Sequence, residues 1–361
     1  MSRHALSRPA RGSTLSHSVF GGVARRRRTL IAGAVASAVI LTGCADPSGN
    51  SAVSPVAAAV SQPSRSGVAA VSIPASFNTS PDQHRVSAAA DPAAVALLPE
   101  DVRKSGKLVV AGGFAGGGLP PLGFTADDNT TPIGVEVDIA HLIGDKLGLT
   151  TDLQVTSWEN ILLGTDSGEY QVAVSNVGVS QERKEKYDFD TYRLGLHAFE
   201  AKKGSGLTVN GAADIAGKKV AVGSGTLQEG IVLNWDEENR KAGLAPVEIK
   251  YYQSATDYYL ALSSGRIDLY LGPNPTATYH VATVGQTEIV GTVSSSFPID
   301  GKVAVMTKKD NGLVKALAAA IDSAIADGSY TEVLNRWGLG AEAVSKAEIN
   351  PPGLPKPKTT G

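Results

Sequence analysis

From residue 107 to residue 337 the spacing of apolar residues switches repeatedly between the period of a strand and that of a helix, and this alternation limits what the chain can fold into. Lys107–Gly112 is a short apolar run suited to a buried strand. Val135, Ile139, Leu142, Ile143 and Leu147 then recur at helical spacing, with Gly148 as a C-cap. Residues 151–156 alternate as a strand, Ser157 can cap a helix through Leu163, and residues 170–174 form a further strand. After Gly204 the order starts again. Residues 218–222 read as a strand, Leu227–Lys241 as a helix and 247–253 as a strand. A helix opened by Ser254, with Asp257 three residues on, leads to a strand at 267–271. A strand at 302–307 follows, then an amphipathic helix carrying Leu313, Leu317, Ile321 and Ile325, and a last short helix holds Tyr330, Leu334 and Trp337.

Such alternation argues for α/β units around mostly parallel sheets. The two similar halves predict two lobes, each a mostly parallel sheet flanked by helices. A strand-rich stretch near residues 197–203 leads into the second half and residues 302–307 lead back, two hinge crossings around a cleft. The expected organisation is residues 97–200 with 303–345 as one lobe and 201–302 as the other. Clefts of that kind bind small ligands.

The N-terminus predicts export. Arg25 to Arg28 precede an uncharged stretch, residues 29–43, shorter than the ~20 apolar residues a membrane span needs. Leu41-Thr42-Gly43-Cys44 resembles a bacterial lipobox, which implies a signal peptide over 1–43 and a lipid on Cys44, the only cysteine in the chain. An uncut anchor helix is the alternative. Arg27-Arg28-Thr29-Leu30-Ile31 also resembles a twin-arginine signal, so the export route stays open. Residues 44–96, rich in Ala, Ser and Pro, read as a disordered tether, and residues 346–361 as a disordered tail. The formal charge is −2, and seven arginines precede the first acid, Asp46. Without them the chain from Cys44 onward carries −9, a poor balance for nucleic acid.

Pro120-Pro121-Leu122-Gly123-Phe124 followed by Gly134-Val135-Glu136-Val137-Asp138-Ile139-Ala140 resembles the amino-acid-binding family of type II periplasmic binding proteins, which serve ABC importers. Further matches are Val179-Ser180-Gln181-Glu182-Arg183, Tyr187-Asp188-Phe189, Gly223-Ser224-Gly225-Thr226, Gly265-Arg266-Ile267-Asp268 and the stretch from Tyr330 to Trp337-Gly338. They occur in the family's order from about residue 97 to 340. The resemblance implies a monomeric binding protein without metal or other cofactor, partnered by an amino-acid-like or carboxylate ligand, an ABC permease and, through Cys44, the membrane.

A carboxylate taken out of water needs charge-assisted donors, and arginine presents two in a rigid fork. By itself SQERKEK, residues 180–186, reads as a solvated turn; the resemblance assigns Arg183 to the ligand's carboxylate. It also implies contacts from Asn176 and the Gly178 backbone in the first lobe, and from Gly225, Thr226 and Gln228 in the second. The residues alone leave Gly223-Ser224-Gly225-Thr226 equally open as a tight turn, and Trp158 open as core or as a stacking partner. Tyr270 is a weaker candidate, and Asp268 reads as structural. Relatives commonly place an acid for the ligand's ammonium just beyond the Gly-Arg-Ile-Asp motif. Here Gly272-Pro273-Asn274-Pro275 stands there, and Asn274 can accept a hydrogen bond from the ligand but brings no charge. The expectation is a ligand other than a simple α-amino acid with a conventionally held ammonium.

Two rival functions use the same scaffold: a dehydratase-like enzyme, and a ligand-sensing lipoprotein without transport. Neither HExxH, GxSxG nor a cysteine nucleophile occurs within residues 97–345. Asp138, His141 and Asp145 share helical spacing but read as a solvated face, and His197 and His280 as isolated surface or packing residues.

Overall fold

The computed structural model describes residues 76–114 and 118–356. The expected signal peptide, Cys44 and the tether up to residue 75 lie outside these residues. Strands are β1 Lys107–Gly112, β2 Phe124–Thr125, β3 Pro132–Ile133, β4 Thr150–Val155, β5 Val172–Ala173, β6 Tyr187–Lys202, β7 Lys219–Val222, β8 Glu248–Tyr251, β9 Leu269–Pro273, β10 Thr287–Ser294 and β11 Gly301–Lys308. Helices are α1 Pro92–Ala96, α2 Glu100–Ser105, α3 Val135–Lys146, α4 Trp158–Ser167, α5 Leu227–Lys241, α6 Ala255–Ser263, α7 Asn274–Val284, α8 Val314–Asp327 and α9 Ser329–Arg336.

The two halves build the same sheet twice. In the first, β1 lies parallel between β4 and β5, and β11 and then β6 close the edge antiparallel. In the second, β7 lies parallel between β8 and β9, and β6 and then β10 close the edge antiparallel. β6 belongs to both. Its residues 187–195 pair with β11, and 196–202 pair with β10. The crossing therefore falls at Gly195–Leu196 inside a single 16-residue strand, ahead of the expected break after residue 200.

Each sheet is covered on both faces, as parallel strands require. In the first, Leu108, Val110, Ile139, Leu142, Leu317, Ile321 and Trp337 pack on one face, and Ala111, Ile161, Tyr170, Phe189 and Met306 on the other. In the second, Phe199, Val220, Val222, Ile231 and Trp235 face Tyr258, Leu262, Ile267 and Tyr270 across the sheet.

Three expectations are corrected. First, residues 76–96 are not tether. Asp91 caps α1 by accepting from the Ala93 amide at 2.8 Å, Ala94 is fully buried, and Phe77 packs on Trp337 and Tyr279 at 5.1 and 5.2 Å. This segment covers α3, so Asp138 is buried rather than solvated: it accepts from Trp337 Nε1 at 2.8 Å and Arg85 Nε at 3.1 Å. Second, Asn274, expected to contact the ligand, opens α7 and is buried there; proline in the first turn fits a helix start, because its missing N–H would be unpaired there anyway. Third, residues 346–356 are not a free tail. The Asn350 amide donates to the Phe189 carbonyl, and the Phe189 amide donates to Asn350 Oδ1, both at 2.9 Å. Leu354 brackets the first-sheet segment, accepting from the Gln181 amide and donating to the Val179 carbonyl, each at 2.9 Å. Its side chain is buried in the second sheet's core.

Leu354→Ala is therefore expected to cost about 2–3 kcal/mol, as large-to-small core changes do. At this size that lowers Tm by several degrees and speeds hydrogen exchange of the Gln181 amide. Unchanged Tm and exchange would mean the segment is not part of the folded body.

Candidate ligand-binding cleft

Loops following the C-terminal ends of the parallel strands in both sheets converge on a cavity of about 510 Å³, where open α/β sheets place their ligands. The first sheet contributes Gly113 after β1, Trp158 after β4, and Ser175, Asn176 and Gly178 after β5. The second contributes Gly223, Thr226 and Gln228 after β7, Ser254 after β8, and Pro273 ending β9. The floor is β6 itself, through Gly195, Leu196 and His197.

Arg183 starts a short 3-10 turn after the first sheet's Val179–Gln181 segment and reaches into this space. Its Nη1 donates to the Gly178 carbonyl at 2.8 Å, and its Nη2 crosses to the second sheet's Gly225 carbonyl at 2.9 Å. The guanidinium carbon stands 5.0 Å from the Trp158 ring centroid, within cation–π range. Burial pushes the half-buried guanidinium down to about 10, so it remains charged at neutral pH.

Asn176 is held from below. Its backbone takes φ +51°, and its Oδ1 accepts from Arg193 Nη2. Arg193 is 1% exposed and is fixed by Glu136 at 2.8 Å and Glu342 at 2.7 Å, while the Tyr192 hydroxyl donates to Glu136. Burial pushes the Glu342 carboxyl up to about 6, opposed by Arg193. Gly178 is needed for close approach: a Cβ there would collide with Leu227 of α5.

The Gly-Ser-Gly-Thr turn is more self-contained than expected. Thr226 caps α5, its hydroxyl accepting from the Glu229 amide at 3.2 Å and donating to the Gly223 carbonyl at 2.7 Å. The Gly225 amide, at φ +71°, donates to Glu229 at 2.6 Å. Thr226 and Gln228 line the cavity; Gly225 does not, and meets it only through Arg183. Asn274 does not line it either. It is 1% exposed in the first turn of α7, and Pro273 takes the lining position. Tyr270 lines the cavity while stacked on Tyr258 at 3.7 Å, and Asp268 accepts from the Lys219 amide at 2.8 Å to brace β7.

Residues 114–340 match the bacterial extracellular solute-binding proteins, family 3. The chain belongs to that family. It is 32% identical to the L-cystine-binding protein of Escherichia coli strain K12 over 243 residues, 67% of this chain and 85% of that protein. An amino acid ABC transporter substrate-binding protein from Streptococcus pneumoniae, solved with L-arginine, shares the fold with a TM-score of 0.58 at 24% identity. That alignment covers 68% of this chain and all of the other. An ancestral amino acid-binding protein described as a precursor of cyclohexadienyl dehydratase matches with a TM-score of 0.56 at 20% identity, covering 66% of this chain and 98% of that one. The two-lobe type II architecture follows from these likenesses and from the paired sheets.

Sequence reasoning missed His197 and Ser295. His197 looked isolated because its neighbours along the chain carry no matching chemistry; only its place where β6 passes between sheets puts it on the cleft floor. It is 5% exposed, and neither ring nitrogen has a protein partner. His280, read as isolated, bonds Glu200 at 2.6 Å and stacks on Tyr259 at 3.5 Å, away from the cavity lining. Among the described residues no group of three or more His, Cys, Asp or Glu is arranged to hold a metal.

Burial, and then the positive charges of Arg193 and Arg183, push the His197 imidazole down to about 3. The unfolded chain takes up this proton near pH 6.5 and the folded chain does not. Stability contributed by neutral His197 is thus complete above about pH 6.5 and is lost as pH falls toward 3. His197→Gln is expected to flatten the pH dependence of unfolding free energy between about pH 6 and 4, by up to ~1.4 kcal/mol per unit. Equal slopes for both proteins would show that the imidazole titrates alike folded and unfolded.

Proposed function

We propose that this chain is an extracytoplasmic lipoprotein that captures an amino-acid-like carboxylate in the interlobe cleft and delivers it to an ABC importer. The observation that carries this reading is Arg183, a charged, half-buried guanidinium placed in the cavity and reaching from one sheet to the other. Family membership supports solute binding, and the relatives named above are described as cystine- or amino-acid-binding.

In this reading the ligand's carboxylate takes over from neutral carbonyls as the acceptor for the guanidinium fork, since a charged acceptor forms the stronger bond. Trp158 covers the guanidinium and one side of the ligand. Asn176 and the Gly178 backbone, held by the buried Arg193 network, complete the first-lobe half. Thr226 and Gln228 close from the second lobe. Ligand binding then shifts the population toward a closed form that the permease recognises. A signal peptide over residues 1–43, a lipid on Cys44 and a tether over residues 44–75 would hold a monomeric binding unit beside that permease. The cleft acts by binding, and the ligand leaves it chemically unchanged.

Arg183→Ala is expected to weaken binding of the best carboxylate in an isothermal titration panel by about 100-fold. Arg183→Lys should recover only part of this, because a point charge lacks the fork. The bound compound should be recovered intact after prolonged incubation. Unweakened binding in Arg183→Ala, or conversion of the compound, would refute the reading.

A further inference from the structure

The polar atoms of the cavity wall are unevenly distributed. Among the described residues Arg183 is its one cationic side chain, and the one carboxylate lining it, Glu159, is exposed. Every other lining side chain is uncharged at neutral pH, and Pro273 occupies the end of β9. Set into the same wall are buried polar atoms with no partner among the described residues: Trp158 Nε1, Tyr258 Oη, Ser295 Oγ and both ring nitrogens of His197.

These groups discriminate between ligands. An ammonium brings three donors and a positive charge, and burying it without a carboxylate is costly. Here it would also share the cavity with the Arg183 guanidinium. An indole N–H can only donate, a neutral imidazole donates once and accepts once, and a hydroxyl does either. That set matches an uncharged amide or hydroxyl, whose oxygen accepts and whose N–H or O–H donates.

Building on the reading of Arg183 as carboxylate anchor, we propose that the cleft selects a carboxylate whose remaining polar group is uncharged, such as an N-acyl amino acid or a 2-hydroxy acid, and that His197 is the specificity-determining residue. His197 and Ser295 are brought together by register. Ser295 directly follows β10, its amide donates to the Gly195 carbonyl at 3.1 Å, and His197 lies two residues further along β6. Alternation along the strand puts both side chains on one face of the sheet.

The test is isothermal titration of the full chain with matched sets: each common L-amino acid, its N-acetyl derivative and the 2-hydroxy acid of the same side chain. The expected result is at least one N-acetyl or 2-hydroxy form binding about tenfold or more tighter than its free amino acid. His197→Phe should abolish that preference, and His197→Gln, which keeps a donor and an acceptor, should restore most of it. Free amino acids binding as tightly as their uncharged counterparts, with binding still lost in Arg183→Ala, would overturn this inference and leave the proposed function standing. A preference untouched by both His197 variants would overturn the assignment to His197. No Arg183-dependent binding of any compound in the panel would overturn the inference and the proposed function together.

Discussion

The architecture depends on β6 serving two sheets at once. A strand has one hydrogen-bonding edge on each side, and β6 gives one to β11 over its first half, then both to β9 and β10 over its second. Neither sheet can be completed without it, so the two lobes are tied at a fixed point, Gly195–Leu196. Parallel strands in each half end beside that point, and their loops face each other across it. The cleft is thus a consequence of strand sharing, and the side chains of β6 at the crossing become its floor.

Sharing also explains where the buried charges sit. β6 is inaccessible along nearly its whole length yet carries Asp188, Asp190, Arg193 and Glu200. Burial pushes the Asp190 carboxyl well above its usual range, and it has no hydrogen-bond partner among the described residues, whereas the other three are matched by partners from elements that must dock for the lobe to form. Arg193 meets Glu136 of α3 and Glu342 beyond α9, and Glu200 meets Thr287, His280 and Tyr259. Leaving one such charge unpaired would cost about 3–5 kcal/mol, so the network enforces one arrangement of its elements. Through Asn176 the Arg193 cluster extends that rigidity to the cavity wall. Arg183, by contrast, bonds only backbone carbonyls among the described residues, one from each side of the cleft, so its charge has no carboxylate partner there.

Much of this was legible in the sequence because it is local. Periodicity located β1, α3, α5 and α8, and Ser157 caps α4 as its side-chain oxygen predicted, whereas Ser254 opens α6 without a side-chain cap bond. Arg183, Trp158, Asn176, Gly178, Thr226 and Gln228 do converge on one cavity. What failed was non-local. The charges in β6 hid a long buried strand, since their partners lie far away in sequence. Asn274 looked like a stand-in for a missing acid, but the chain turns into α7 there and carries the side chain off the cavity. The proline-rich end looked unstructured, although Leu354 finds an apolar site on the second sheet and backbone partners on the first. His197 gave no signal, because its meaning comes only from the crossing.

In the proposed function, ligand binding brings the two lobes together about β6. Leu163 on α4 and Leu260 on α6 are exposed at 68% and 57%, one on each lobe. Spin labels at Leu163→Cys and Leu260→Cys, in a chain with Cys44→Ser, report the interlobe distance by pulsed electron resonance. With a saturating ligand one short, narrow distance population is expected, against a longer and broader one without it. Identical distributions in both conditions would contradict it.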